Sequence, residues 1–318
     1  MHIPDGFLDA RTLAASAVLS AGAVGLALRQ CRSGDGADRR LPLLGMTAAF
    51  VFAAQMINFP VLGGTSGHLM GAVLAAVLLG PAAAMVSMTC VLILQCLLFG
   101  DGGVLALGAN VFNMAVLGTL SGYAVCRLSG GLLPGLRGKL AGAGAGAWVS
   151  VVVASASCAG QLALSGTAPA GMVLPAMVFV HMLIGLGEAA ITVLVLWVIA
   201  GARRDLLEDD PERSAAGWRV VAGWGMILAL GLALFASPFA CGWPDGLESV
   251  AQRFGFETRS VGSLLSAPLP EYRFPGLPDG GLAAALAGGA GTLAVFGVMW
   301  SMSGWLIRGR RRMSPVVE

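Results

Sequence analysis

Charge is scarce in this chain of 318 residues. Only 11% of the residues are charged, 57% are hydrophobic, and the mean hydropathy is +0.82. A soluble domain carries roughly 25% charged residues, so this chain has too few to cover a surface that faces water. The composition excludes a soluble protein and indicates an integral membrane protein.

Motifs of nucleotide and hydrolytic chemistry are also lacking. The chain has a single lysine, Lys139, and Leu140 follows it, so no phosphate loop of the Gly-x-x-x-x-Gly-Lys-Ser/Thr type exists. His-Glu-x-x-His and Gly-x-Ser-x-Gly are absent, and no basic stripe with interleaved aromatics indicates nucleic-acid binding. If ATP drives this chain, the ATPase must be another polypeptide, and we do not expect the chain itself to be an enzyme.

Nine apolar runs fit helices in a membrane, where about 20 residues cross roughly 30 Å of hydrocarbon. The third run is short and follows the glycine-rich segment 63–68. We therefore expect it to begin below the membrane surface, with irregular backbone sheltered by protein. The runs are 12–29, 41–58, 68–80, 82–99, 105–127, 141–164, 172–200, 219–237 and 281–307.

Basic residues predict the orientation, because Lys and Arg near span ends favour the cytoplasm. With the N-terminus outside and the C-terminus in the cytoplasm, 15 of the 19 Lys and Arg residues fall inside. The four left outside are Arg11, Arg253, Arg259 and Arg273. The chain lacks the positive region that opens a secretory signal, so we expect Met1 to stay on the mature protein.

Composition separates two parts of an all-α membrane protein. Residues 1–200 form a bundle of seven runs with short links, and residues 201–218 form a charged cytoplasmic linker. Residues 219–318 form a two-span hairpin with an external loop at about 238–280. Small residues let helices approach closely in membranes, so the pairs Gly118/Gly122 and Gly142/Gly146 are candidate helix contacts.

Two of the three histidines can bind one metal ion together. The Met1 amine, the His2 amide nitrogen and the His2 imidazole close adjacent chelate rings, which suits nickel(II), copper(II) or cobalt(II) rather than calcium or magnesium. His68 can fill the open planar position if the first residues fold back into the bundle. The residues alone leave open that His2 is an exposed terminal residue and that His68 caps a helix.

Four further polar residues are candidates to support the ligands or to line a path: Asp5, Asn58, His181 and Glu188. His181 and Glu188 lie seven residues apart, so a helix places them on nearly one face. They can form one polar path or satisfy two separate helix contacts. Asn58 precedes the glycine-rich bend and can organise the loop beneath His68.

The opening Met1-His2-Ile3-Pro4-Asp5-Gly6-Phe7-Leu8 resembles the start of the CbiM/NikM family, the substrate-binding components of cobalt and nickel energy-coupling-factor transporters. The segment 63–68 and the run 181–189 are similar to the same family, so the resemblance covers residues 1 to about 200. Residues 235–239 and the run Pro244-Asp245-Gly246-Leu247-Glu248 resemble the PDGLE module, an N-component-like hairpin.

The resemblance implies a fold with a six-helix core and an extra N-terminal helix. It implies that Met1, His2 and His68 hold a transported nickel(II) or cobalt(II) ion, with no separate cofactor. It also implies two partners, a transmembrane T component and a cytoplasmic ATPase pair. The sequence does not choose between nickel and cobalt, since both accept these ligands.

Two other classes of function stay open. A proton-coupled secondary transporter would use His181 and Glu188 as a proton relay and would need no ATPase. A membrane metalloenzyme would need an open coordination position and a nearby general base, and a filled plane of four nitrogens argues against it.

Overall fold

The computed structural model describes residues 1–33, 37–130, 132–203, 206–207, 218–262, 264–278 and 280–311, and these residues are mostly helical. The all-α fold class is confirmed. Most of the linker expected at 201–218, together with the chain after residue 311, lies outside the described ranges.

The first part contains eight helices and one small hairpin among its described residues. The helices are α1 (Ala10–Ser33), α2 (Ala37–Gln55), α3 (Ala72–Leu79), α4 (Pro81–Leu94), α5 (Leu107–Asn110), α6 (Gly118–Gly130), α7 (Gly135–Leu164) and α8 (Ala170–Ala202). A π-helical segment, Gln95–Phe99, extends α4, and another, Val111–Leu117, joins α5 to α6. Strands β1 (Phe59–Val61) and β2 (Thr65–Gly67) pair antiparallel between α2 and α3.

The second part has two long helices with a structured loop between them. These are α9 (Trp218–Gly231), extended by the π-helical segment Leu232–Ala236 and the 3-10 turn Ser237–Phe239, and α11 (Gly281–Arg311). The loop carries α10 (Gly246–Phe254) and the 3-10 turns Glu257–Arg259 and Pro270–Tyr272.

Seven helical segments of the described chain are long and apolar enough to cross a membrane. They make this a multi-pass membrane protein. The run expected at 68–80 forms only the eight residues of α3, which span about 12 Å at 1.5 Å per residue. Gly71 and Gly80, with φ of 77° and 83°, bound this helix, and seven of its eight residues are buried. Helix α3 is therefore too short to cross the bilayer and lies inside the bundle, as the glycine-rich segment before it predicts.

Small residues bring the helices close together. A Cβ on Gly122 would lie 2.8 Å from the carbonyl oxygen of Gly146, and a Cβ on Gly146 would lie 2.3 Å from that of Gly122. Helices α6 and α7 therefore touch backbone to backbone, and α8 packs on the α7 surface as well. Two members of the predicted glycine pairs thus mark a contact within the chain.

The two parts pack into one bundle. Helix α2 lies against α9 and α11. A Cβ on Gly45 of α2 would meet the ring of Phe296 in α11 at 3.2 Å, and the Arg32 guanidinium lies 3.7 Å from the ring centroid of Trp305. These contacts hold the loop of the second part over the end of the bundle that carries the N-terminus.

Candidate metal centre

The first residues of the chain fold back into the bundle. Ile3, Phe7 and Leu8 are buried in the apolar core, which offsets the cost of ordering the terminal segment. The Ile3 amide donates to Oδ1 of Asn110 at 2.8 Å, and Nδ2 of Asn110 donates back to the Ile3 carbonyl at 3.1 Å. The backbone beside His2 is therefore held in one place.

Asp5 anchors the same segment. Its buried carboxylate accepts backbone N–H groups from Val104, Leu105 and Ala106 at 3.1, 2.9 and 3.1 Å. Such bonds compensate the loss of hydration of a buried carboxylate. Asp5 thus positions the N-terminal segment that carries Met1 and His2.

Gly6 makes the sharp turn that follows. Its φ is +92°, and a Cβ there would lie 2.2 Å from the carbonyl oxygen of Arg259. The Val261 amide donates to the Asp5 carbonyl at 2.9 Å in the same region. The N-terminal segment is therefore clamped between the first part and the loop of the second.

The hairpin β1–β2 positions His68, the residue that follows β2, beside the N-terminus. Nδ1 of His68 lies 3.1 Å from the Leu69 carbonyl, and because a carbonyl only accepts, this nitrogen carries the proton. The Nε2 lone pair then faces the Met1 amine at 3.2 Å. The rings of His2 and His68 lie 5.6 Å apart, so the structure brings the three predicted ligand residues together.

Glu188 and His181 make two separate contacts and do not form one polar path. This is the second of the two alternatives that the sequence leaves open. The buried Glu188 carboxylate accepts the Met70 and Gly71 amides at 2.5 and 2.8 Å and so fixes the backbone between His68 and α3. Nδ1 of His181 donates to the Met177 carbonyl of its own helix at 2.8 Å. Glu188 therefore supports the loop of His68.

His181 packs against the second part, and Asn58 also meets it. A Cβ on Gly246 would lie 2.7 Å from Cε1 of His181, so a larger residue there would have to displace the imidazole ring. The Asn58 carbonyl accepts the Cys241 amide at 2.8 Å. Asn58 thus joins the chain just before the hairpin to the loop of the second part.

Sequence reasoning missed Asp245. Its Oδ2 lies 2.7 Å from the Met1 amine, with side-chain exposures of 7% for Met1 and 17% for Asp245. Its Oδ1 accepts the Glu248 amide at 2.8 Å, while Glu248 accepts the Asp245 amide at 3.0 Å, which forms a capping box for α10. The Asp-x-x-Glu spacing predicts that cap, but nothing in it predicts the contact with an amine 244 residues away.

Asp101 was missed as well. Its Oδ1 lies 3.6 Å from Nδ1 of His2, and its Oδ2 accepts the Tyr272 hydroxyl at 2.5 Å. The Tyr272 ring stacks on Phe99 with centroids 4.6 Å apart. The loop of the second part therefore reaches both His2, through Asp101, and Met1, through Asp245.

The surroundings set the protonation of the three ligand residues. Burial lowers the pKa of the Met1 amine, but the Asp245 carboxylate more than offsets this, so the pKa lies above 8.0. Burial and the positive amine lower the pKa of His68 to about 3, and burial lowers that of His2 below 6.5. Both imidazoles are neutral at pH 7, as metal ligation requires.

The donor set is made of nitrogen. Within the described ranges, no group of three His, Cys, Asp or Glu side chains is placed to hold a metal ion. The terminal amine, the amide nitrogen and ring of His2 and the ring of His68 therefore form the candidate centre. Such a set is suited to a nickel(II)-type or cobalt(II)-type ion.

Comparison with known proteins gives two matches to family models. The model described as "Cobalt uptake substrate-specific transmembrane region" matches residues 2–206. The PDGLE domain matches residues 219–309.

Two similar proteins align with both parts of this chain. The putative fused nickel transport protein of Archaeoglobus fulgidus is 35% identical, covering 95% of this chain and 98% of its own. The fused nickel transport protein of Rhodobacter capsulatus is 31% identical, covering 86% and 88%. A crystal structure of a transition metal transporter is 35% identical with a TM-score of 0.57, covering 64% of this chain and 93% of its own.

Proposed function

The chain belongs to the cobalt uptake substrate-specific transmembrane family of nickel and cobalt transport proteins, with a PDGLE domain behind that region, and from this premise we propose that it is the substrate-specificity subunit of an energy-coupling-factor importer. It captures nickel(II) or cobalt(II) at the outer face of the cell membrane and passes the ion inward. The relatives that span both parts are named as nickel transport proteins, which favours nickel as the substrate.

One observation carries the proposal. The Met1 amine lies 3.2 Å from Nε2 of His68, beside the ring of His2. The amine, the His2 amide nitrogen and Nδ1 of His2 close a five-membered and a six-membered chelate ring on one ion, and His68 supplies the fourth nitrogen. On binding, the amine and the amide each lose a proton, and the four nitrogens replace water on the metal.

Asp245 has a definite part in this scheme. Its carboxylate holds the Met1 amine at 2.7 Å before the ion arrives, and its own place is set by the cap of α10. When the amine turns to the metal and loses its proton, this ion pair ends. Loading of the metal therefore changes the contact between the second part and the N-terminus.

Import needs an energy source that this chain does not carry. The chain has no phosphate loop, so we assign ATP hydrolysis to a separate cytoplasmic ATPase pair, coupled through a transmembrane T component. The excess of Lys and Arg on one side supports an N-terminus outside and a C-terminus in the cytoplasm. This orientation places Met1 and His68 where an external ion arrives.

A proton relay through His181 and Glu188 is not the function that we favour. Glu188 is engaged by two backbone amides and His181 by the carbonyl of Met177, so the two side chains serve separate contacts. An importer without an ATPase would take up metal in vesicles that lack partner subunits. We expect uptake only when the T component and the ATPase pair are present.

Calorimetry with nickel(II) and cobalt(II) tests the site. We compare purified protein with its native N-terminus, a variant with one residue added before Met1, and His68→Ala. Asp9→Asn, at an exposed position away from the three ligand residues, supplies the control. We expect one ion per chain for the native protein and the control, and loss of that binding in the other two. Unchanged binding by the extended protein would refute the terminal chelate.

A further inference from the structure

A cavity of about 500 Å³ lies in front of the candidate metal centre. His2 and His68 line it from the first part, together with Asn58, and the loop of the second part closes it from the other side. It therefore adjoins the nitrogen ligands and is shared by both parts of the chain.

The wall of this cavity carries negative charge. Five carboxylate residues line it: Asp101, Asp245, Glu248, Glu257 and Glu271. None of the described Lys or Arg residues lines it. The three glutamates are exposed, whereas Asp101 and Asp245 are half-buried beside His2 and Met1. The carboxylates thus extend from solvent to the ligands, and such a lining raises the local concentration of cations.

A second observation also points to a ligand in the cavity. Gln55 lines it and is 5% exposed, and its Nε2 donates to the Met70 carbonyl at 2.8 Å. Its Oε1 is buried and has no hydrogen-bond partner among the described residues. A buried carbonyl oxygen without a donor is costly. A water molecule on a hydrated metal ion is a strong donor and would satisfy it.

The size of the cavity fits a hydrated ion. Six waters occupy about 180 Å³ at roughly 30 Å³ each, which is well below the volume available. Carboxylates and an amide oxygen are hydrogen-bond acceptors for the water shell. The lining therefore suits a cation that still keeps its water, in contrast to the nitrogen centre, which replaces it.

We propose that this cavity is a separate vestibule site that holds a hydrated divalent cation before the ion moves to the four nitrogens. This proposal rests on the proposed function, since the ion is the transported metal. The vestibule binds it through water and carboxylate oxygen, and the adjoining chelate then takes it up. Four of the five carboxylates, all except Asp101, belong to the second part, so that part supplies most of the negative charge of the loading path.

The rate of nickel loading tests the vestibule. In the full chain with its native N-terminus, Glu248→Gln/Glu257→Gln removes two charges, and glutamine at position 248 still completes the capping box. Glu271 is left unchanged because it already lies 3.7 Å from Arg273. Asp9→Asn is the matched control, since Asp9 is exposed outside the cavity and asparagine caps α1 equally well.

Stopped-flow absorption with nickel(II) alone gives the association rate, and chelator competition gives the dissociation rate. We expect the double variant to load at least about threefold more slowly at low ionic strength, with the difference lost at high salt. Its dissociation rate and its stoichiometry stay at the values of the native protein, which also shows that it is folded. Asp9→Asn loads like the native protein.

Manganese(II), which prefers oxygen ligands, probes occupancy of the vestibule directly. We expect the native protein to deplete the electron paramagnetic resonance signal of free manganese(II), and the double variant to deplete it at least about threefold less at low ionic strength. Equal loading rates for the double variant and Asp9→Asn, or equal manganese depletion, would overturn the vestibule. A different result would refute the nitrogen site on which the proposed function rests, namely unchanged nickel binding by the N-terminally extended protein.

Discussion

The pH dependence of nickel binding is a direct consequence of the site geometry. The Met1 amine is paired with Asp245 at 2.7 Å, and its pKa lies above 8.0 because the carboxylate outweighs the effect of burial. At pH 7 the amine is therefore protonated. His2 and His68 are neutral there, because burial lowers their pKa values below 6.5 and to about 3. The His2 amide keeps its proton in the absence of metal.

These protonation states fix the number of protons that nickel must displace. The amine and the amide each release one, and the two imidazoles release none. Protons compete with the metal, so affinity increases as the pH rises. Each displaced proton changes the binding free energy by about 1.4 kcal/mol per pH unit. For two protons, the association constant should rise about 100-fold per unit between pH 6.5 and the amine pKa, and about tenfold per unit above it.

Isothermal titration calorimetry in buffers of different ionisation enthalpy counts the released protons, and competition with a chelator at several pH values gives the slope. The protein with one residue before Met1 is the control, because it lacks the chelating amine. A count of one at pH 7 would show that the amide is not a ligand or that the amine is already neutral. A count of zero would refute the nitrogen centre as described.

Two substitutions test how distant parts of the chain support the centre. Glu188→Gln replaces one of the two oxygens that accept backbone amides before α3 with an NH2 group that cannot accept, so we expect about 2 kcal/mol less stability and weaker nickel binding through His68. An unchanged melting temperature and affinity would contradict this. Gly246→Ala places a Cβ 2.7 Å from Cε1 of His181, so we expect about 1–3 kcal/mol of destabilisation, measured by thermal unfolding. In the control Gly242→Ala the new Cβ meets open space, so we expect its stability to stay near the native value.

Much of the fold is predictable from sequence because long apolar runs with little charge have one stable solution in a bilayer. The helices from α4 to α8 and α11 lie where such runs predict them. The hairpin β1–β2 was not predicted, because a segment of a few residues around Gly63 and Gly64 has no periodic signal. Its strands are stabilised by pairing with each other and by the Ser66 amide, which donates to the Pro244 carbonyl at 2.8 Å.

The residues around the metal centre also show what the sequence predicts and what only the structure decides. Asp5, Asn58, His181 and Glu188 are conspicuous as polar groups in an apolar chain, and that alone selects them as candidates. Their individual contacts depend on which loops lie opposite. Glu188, for example, could have lined a path, but its two acceptor bonds place it under the loop of His68.

The sequence by itself determined only the local part of the metal centre. Met1 and His2 are joined by one peptide bond, so covalent geometry alone places an amine, an amide and an imidazole within reach of one ion. Tertiary structure decided which distant groups complete this set: His68 lies 67 residues from Met1, and Asp245 lies 244 residues from it. The physical reason is that a chelate within a dipeptide is fixed by bond lengths, whereas the closing contacts depend on non-local packing of loops that no sequence periodicity encodes.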